Sequence, residues 1–180
     1  MATSLADIAK DADIPIGNVY YYFKTKEELA LSAILRHKEH YIALFTTLNE
    51  TQDDPRVRLK KSLEYYEQVS DEFARYGCPI GKIVMDADDS NSVITRTAAE
   101  VLECFLGWAE MQFRDLGYED SARAHASSLL CSIQGALLLA KALQQPEIIS
   151  QELTRLSAFV DQMPNKRIQL GKVGMKVSAA

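Results

Sequence analysis

Three helix-start signals crowd the first 30 residues of this 180-residue chain, at Ser4, Pro15 and Thr25, and they leave room for only two short helices before a longer one. Ser4 precedes Leu5, Ile8, Ala9 and Ala12, apolar residues three or four apart, while Asp7, Lys10 and Asp11 fall on the other face, the pattern of a short amphipathic helix. The Ser4 hydroxyl can accept an orphan backbone N–H there, with Asp7 in the capping-box place. Pro15 lacks an N–H and biases Asp13-Ile14 toward extended geometry, so the chain turns and Pro15 opens a second helix, about Pro15 to Tyr22. On that helix Val19 and Phe23 face inward, whereas Ile16, Gly17, Asn18, Tyr20, Tyr21 and Tyr22 project outward or toward a partner. Thr25 caps a third helix with Glu28 at its capping-box position, and Lys26 sits in the first turn, where a cation opposes the helix dipole.

Two short helices joined by a tight turn make a helix-turn-helix. Successive residues on a helix splay by about 100°, so three adjacent tyrosines cannot share one core and at least one lies outside. Tyrosines on a polar helix suit phosphate oxygens, sugars and base edges, and Lys26 is well placed if a phosphate lies opposite. The segments Ser4-Leu-Ala-Asp-Ile-Ala9, Ile14 to Phe23 and Lys24-Thr-Lys-Glu-Glu-Leu29 resemble the DNA-binding module of the TetR family of bacterial repressors. The resemblance implies that Tyr20 and Tyr22 grip phosphates, that Lys26 anchors the flank, and that Ile16, Gly17, Asn18 and Tyr21 meet the major groove, with Thr3 and Ser4 completing the DNA-facing set. It also implies a further helix before Ser4. The chain starts at Met1-Ala-Thr, so either the start is set at an internal Met, the favoured reading, or the head is truncated, and weak DNA binding by the chain as written is expected.

Beyond Glu27 apolar residues recur at helical spacing, as in Leu102, Phe105, Leu106, Ala109 and Phe113, and predict an all-α chain. Helices are expected near 27–49, 55–76, 80–87, 92–116, 120–144 and 147–162, with breaks at Asp53-Asp54-Pro55, Gly77-Cys78-Pro79, Asp88 to Asn91, Gly117-Tyr118 and Gln145-Pro146. The expected organisation is a helix-turn-helix domain over 1–45, a helical effector-binding and dimerisation domain over 46–163, and a flexible tail over 164–180. Ala122, Ala126, Leu129, Leu130, Ile133, Ala136, Leu137, Leu138, Ala140 and Leu143 make an apolar surface wider than one stripe, continued by Ile148, Ile149, Leu153, Leu156, Phe159 and Val160. An interior helix of a monomer would look the same. The resemblance implies a homodimer closed by a four-helix bundle from the last two helices, presenting two heads to a palindromic DNA operator.

Between head and bundle, Leu59, Leu63, Tyr66, Val69 and Phe73 on one helix and Phe105, Trp108, Met111 and Gln112 on another are candidates to line an apolar chamber with a few polar handles. The same residues would serve as ordinary core. A small-molecule effector there would shift the helix Pro55 to Tyr76, drag the helix Glu27 to Asn49, change the spacing of the heads and release the operator. Cys78 follows a helix break and precedes a helix start and Lys82, an environment that can activate a thiol, whereas Cys104 and Cys131 read as inert core. Gly77-Cys78-Pro79 also resembles the effector domain of a TetR subgroup, some of whose members respond to electrophiles. Tyr66, Phe73, Cys78, Phe105, Trp108, Met111 and Gln112 are therefore the candidate ligand site.

Other classes find less support. There is no G-x-S-x-G, Gly77 to Lys82 is one residue short of a phosphate loop and is followed by Ile83, and His37 and His40 flank Lys38 on a face that reads as solvated, so no enzyme, cofactor or metal centre is expected. The cysteines lack zinc or disulfide spacing, and no run of twenty uninterrupted apolar residues or signal peptide appears, which points to a cytoplasmic protein. The net charge of −5 looks unlike a DNA binder. Met1 to Gln52 itself carries seven acids and five bases, so weak nonspecific DNA affinity and a need for two heads are expected. The alternative function is a helical ligand-binding dimer that does not itself bind DNA and works through protein partners.

Overall fold

The computed structural model describes residues 3–86 and 92–164. The break expected at Asp88 to Asn91 and the tail from 165 onward lie outside the described residues. Among the described residues there are nine helices and no strand: α1 (Leu5–Asp11), α2 (Ile16–Tyr22), α3 (Lys26–Thr51), α4 (Pro55–Gln68), α5 (Ser70–Tyr76), α6 (Pro79–Asp86), α7 (Val93–Asp115), α8 (Ala122–Leu143) and α9 (Glu147–Gln162).

Ser4 and Asp7 form the expected capping box: the Ser4 hydroxyl accepts from the Asp7 N–H at 3.2 Å and donates to the Asp7 carboxylate at 2.6 Å, while the Ser4 N–H donates to the same carboxylate at 2.9 Å. The hydrogen bonds from Ser4 hold the Asp7 carboxyl below the usual carboxylate range. A depressed folded value means that the cap stabilises fully above the ordinary aspartate range and fades as pH falls through the lowered value. Asp7→Asn is expected to lower the thermal midpoint at neutral pH and to converge with the unsubstituted chain in acid, whereas Ser4→Ala, which also loses the bond from the Asp7 N–H, should keep an offset throughout; a constant offset for Asp7→Asn in a pH series of melts would argue against the linkage.

The α1–α2 turn differs from expectation. Asp13 adopts the left-handed region at φ 54°, the Ile14 N–H reaches the Ala9 carbonyl at 2.9 Å and the Asp13 N–H reaches Lys10 at 3.3 Å, which is a Schellman ending. Pro15, extended at ψ 128°, is then the residue before α2 rather than its first. At Thr25 the hydroxyl accepts from the Glu28 N–H as expected, but the Glu28 carboxylate reaches back one residue further, to the Lys24 N–H at 2.6 Å.

α3 runs 26 residues without Gly or Pro, carrying the chain from the head into the body, so the domain boundary expected at 45 falls inside one helix whose Phe45 is buried in the body core. The single helix expected over 55–76 breaks at Val69 (φ −116°, ψ 20°). α4 packs on α9 and α7, whereas α5 packs on α8, so the axis must change direction between them, and Val69-Ser70 resists that change least because both are weak helix formers.

α7 is the central element, packed by α3, α4, α6 and α8, and its buried stripe Ala98, Val101, Phe105, Trp108, Ala109, Gln112 and Phe113 follows the helical period. Most buried residues form one core spanning α3 to α9, and a smaller cluster of Ile34, Ile80, Ala98 and Val101 sits where α6 and the start of α7 meet α3. α8 is long and apolar enough, by length and composition, to cross a membrane; here one face is buried against α5, α7 and α9 while Leu138, Leu139 and Leu143 remain exposed.

Candidate nucleic-acid interface and effector cavities

The head is held by a small core of Leu5 and Ala9, with Ile8, Val19 and Phe23 half-buried around it. Thr3, Ser4, Ile16, Gly17, Asn18, Tyr20, Tyr21, Tyr22 and Lys26 are all exposed. Where at least one tyrosine was expected outside, all three are: Tyr20 is 48%, Tyr21 76% and Tyr22 72% exposed, and the last two meet edge to face at 4.9 Å. Such a display of rings, hydroxyls and one first-turn lysine can meet phosphates and base edges together. A Cβ added at Gly17 would meet nothing within 4 Å, so the chain's own packing does not require glycine there. Ser4 is committed to its cap, which limits what its hydroxyl can offer a phosphate.

Two ligand-sized cavities flank the turn between α5 and α6. Gly77, at φ +80°, makes that turn possible. Cys78 follows it, and its thiol accepts from the Gly81 N–H at 3.3 Å, occupying the capping place of α6. The Lys141 ammonium donates to the Arg75 carbonyl and the Gln144 amide to the Ala74 carbonyl, so the end of α8 fastens the turn by satisfying the last carbonyls of α5. One cavity, of about 470 Å³, opens between this turn, α6 and α8, with Lys82, Met85, Gln134, Leu138 and Lys141 in its wall. The other, of about 440 Å³, lies between α3, the α4–α5 region and the start of α6, with His37, Tyr41, Tyr65, Phe73 and Glu72 in its wall. Tyr76, Gly77, Cys78 and Lys82 border both.

The residues expected in one chamber divide. Cys78 and Phe73 line cavities. Tyr66, Phe105 and Trp108 do not; they are interlocked core, with Phe45 stacked on Trp108 at 4.3 Å and 8°, Tyr66 stacked on Phe73 at 5.8 Å, and Phe105 edge-on to both Phe45 and Tyr66. Gln112 is buried and satisfied, accepting from Arg58 at 3.2 Å and donating to the Trp108 carbonyl at 3.2 Å. Met111 is 52% exposed on the far side of α7. The division follows from the central position of α7: its inward face meets other side chains, whereas the two cavities beside Cys78 flank the α5–α6 turn.

Arg58 also donates to the Gln52 carbonyl at 2.6 Å, and the Trp108 indole N–H donates to Asn49 at 3.1 Å, so the C-terminal end of α3 is pinned to α4 and α7. Sequence reasoning missed His37 and Tyr41, which bring α3 itself to a cavity wall. Burial, then the neighbouring His40, holds the His37 imidazole below its usual range, favouring the neutral form, and the His40 ring lies 4.9 Å from Tyr65. Cys131 corrects the expectation of inert core, since it is exposed on α8; Cys104 is half-buried, and burial pushes its thiol up against the opposing pull of Lys38.

A helix-turn-helix head carried by a helix that also borders ligand-sized cavities defines a transcriptional regulator that senses and reads with one chain. Residues 1–33 match the family model described as bacterial regulatory proteins of the tetR family, and residues 62–151 match the C-terminal domain of LmrA/YxaF-like transcriptional regulators. The chain belongs to the TetR family, whose members bind DNA and small-molecule effectors and function as dimers, and it is a ligand-responsive DNA-binding regulator. It is 27% identical over 177 residues to an uncharacterised HTH-type transcriptional regulator in the lacX 3′ region of Lactococcus lactis subsp. lactis, covering 91% of this chain and 86% of that one. Over 74 residues, 41% of this chain and 36% of the relative, it is 31% identical to the HTH-type transcriptional repressor NemR of Escherichia coli K12. The crystal structure of a TetR transcriptional regulator from Legionella pneumophila shares the fold, with a TM-score of 0.73 at 22% identity over 89% of this chain and 86% of that one.

Proposed function

We propose that the chain is a cytoplasmic repressor that holds a palindromic operator as a homodimer and lets go when a small molecule enters the cavities around Gly77-Cys78. One observation carries this reading: α3 starts immediately behind the reading helix and contributes His37 and Tyr41 to a cavity wall, so a ligand there bears directly on the element that aims the head. In this reading residues 1–45 read DNA, through Tyr20 and Tyr22 on phosphates, Lys26 on the flank, and Ile16, Gly17, Asn18 and Tyr21 in the major groove. Residues 46–163 sense and dimerise.

The dimer reading has its own support. The exposed residues Ala124, Ser128, Cys131, Gly135, Leu138 and Ala142 run along α8 at alternating intervals of four and three, a heptad seam of mostly small side chains suited to close approach of a second helix. Two heads fixed by that two-fold would read the two halves of a palindrome, which compensates for the weak attraction of an acidic head to DNA.

Cys78 is the proposed sensor of electrophiles, because it borders both cavities and sits in the turn fastened to α8. The test is a gel shift on the region upstream of the chain's own gene, in a Cys131→Ser background that removes the exposed thiol. Retarded DNA should be released by N-ethylmaleimide and should stay bound when Cys78→Ser is added. Equal release from both proteins would remove Cys78 from the mechanism, and no retardation of that DNA at low salt would count against a repressor of its own promoter.

A further inference from the structure

The Tyr41 and Tyr66 hydroxyls lie 3.0 Å apart, and either could donate to the other. Each carries one proton, and one hydrogen bond uses only one of the two. Tyr66 is 2% exposed, borders neither cavity, and its hydroxyl has Tyr41 as its only hydrogen-bond partner among the described residues. If Tyr41 donated, the Tyr66 proton would be buried with no acceptor, a costly arrangement. Tyr66 therefore donates to Tyr41, and the Tyr41 proton is left to point elsewhere. Tyr41 is in the wall of the 440 Å³ cavity, between aromatic neighbours Tyr65, Phe73 and Tyr76. Burial pushes both phenols up, so both remain proton donors near neutral pH.

We propose that this cavity takes a flat aromatic ligand carrying an acceptor oxygen, such as an aryl ketone, which receives the spare Tyr41 proton. Tyr65, Phe73 and Tyr76 in the wall give a planar aromatic body apolar contact, and the spare O–H selects an acceptor over a hydrocarbon of the same shape. This rests on the reading of the cavity as the effector chamber and adds the chemistry that the chamber prefers.

Equilibrium dialysis of the full chain without DNA against two near-isosteric probes, 2-acetylnaphthalene and 2-isopropenylnaphthalene, tests the assignment. The ketone should bind about three- to tenfold more tightly, the range that one neutral hydrogen bond supplies. Tyr41→Phe should erase that preference while leaving the hydrocarbon's affinity unchanged. Tyr66→Phe, which loses the donor to Tyr41 but leaves the Tyr41 proton free, should retain it. The double variant removes both hydroxyls, leaves no orphan donor, and should behave as Tyr41→Phe does. A preference that survives Tyr41→Phe, a preference lost equally in Tyr66→Phe, or no preference in the unsubstituted chain overturns the proposal. A ketone preference in a chain that fails to retard operator DNA would keep this inference and sink the repressor reading. Operator release by other compounds with no ketone preference would do the reverse.

Discussion

Gly17→Leu is expected to leave the fold intact and to lower operator affinity by about two orders of magnitude. No atom of the chain lies within 4 Å of a Cβ built at Gly17, and the residue sits inside the regular helix α2. Leucine is the better helix former there by about 0.5 to 1 kcal/mol, so the thermal midpoint should hold or rise. In the complex the same side chain would stand where α2 meets the groove, and a misfit of about 1 to 2 kcal/mol in each of two heads gives roughly a hundredfold loss. Opposite signs for stability and binding make the experiment decisive: unchanged affinity in a fluorescence-anisotropy titration, with the fold intact, would remove α2 from the DNA interface.

Trp108→Ala carries the largest expected effect on stability, a loss of about 3 to 5 kcal/mol, a substantial fraction of the total for a domain. The indole is stacked face to face on Phe45 and its N–H is bonded to Asn49, so truncation opens a cavity and removes a tether to the end of α3. Urea unfolding should show a lower midpoint at similar slope. Met111→Ala, three residues along the same helix but exposed, should change the midpoint little. If Trp108 instead formed a cavity wall, its truncation would be tolerated and would alter ligand binding, and a small shift for both variants would restore that view.

The contrast between those two residues shows what the sequence could and could not carry. Ser4, Thr25 and Pro55 announce helix starts because capping is a local transaction among four residues, and all three starts are found in place. The exposure of the tyrosines was legible for the same local reason, since three successive tyrosines on a short helix cannot all hide. The break at Val69 was not legible, because it arises from where α4 and α5 dock rather than from any strong breaker in the chain. The cavities were not legible because helical periodicity reports that a side chain points inward and is silent on whether it meets another side chain or a void. Tyr66, Phe105, Trp108 and Gln112 do point inward, and they are met. His37 was read with His40 as part of a solvated face and Tyr41, one turn on, was given no role; only the arrival of α5 and α6 makes that side of α3 a wall. Cys131 sits among apolar neighbours yet lies on the outer seam of α8, a distinction that composition cannot make.

Because α3 passes from the head into the body without a proline or glycine, the head and the cavity wall at His37 and Tyr41 are joined by a shaft instead of a linker. Each residue added to such a shaft turns what it carries by about 100° and advances it about 1.5 Å. The orientation of the DNA-reading face is thus locked in phase with the cavity wall. A head exchanged from another member of the family would keep its response only if the splice preserves the residue count between Thr25 and Tyr41. Drift in length is free in a loop, but here it is forbidden by rotation.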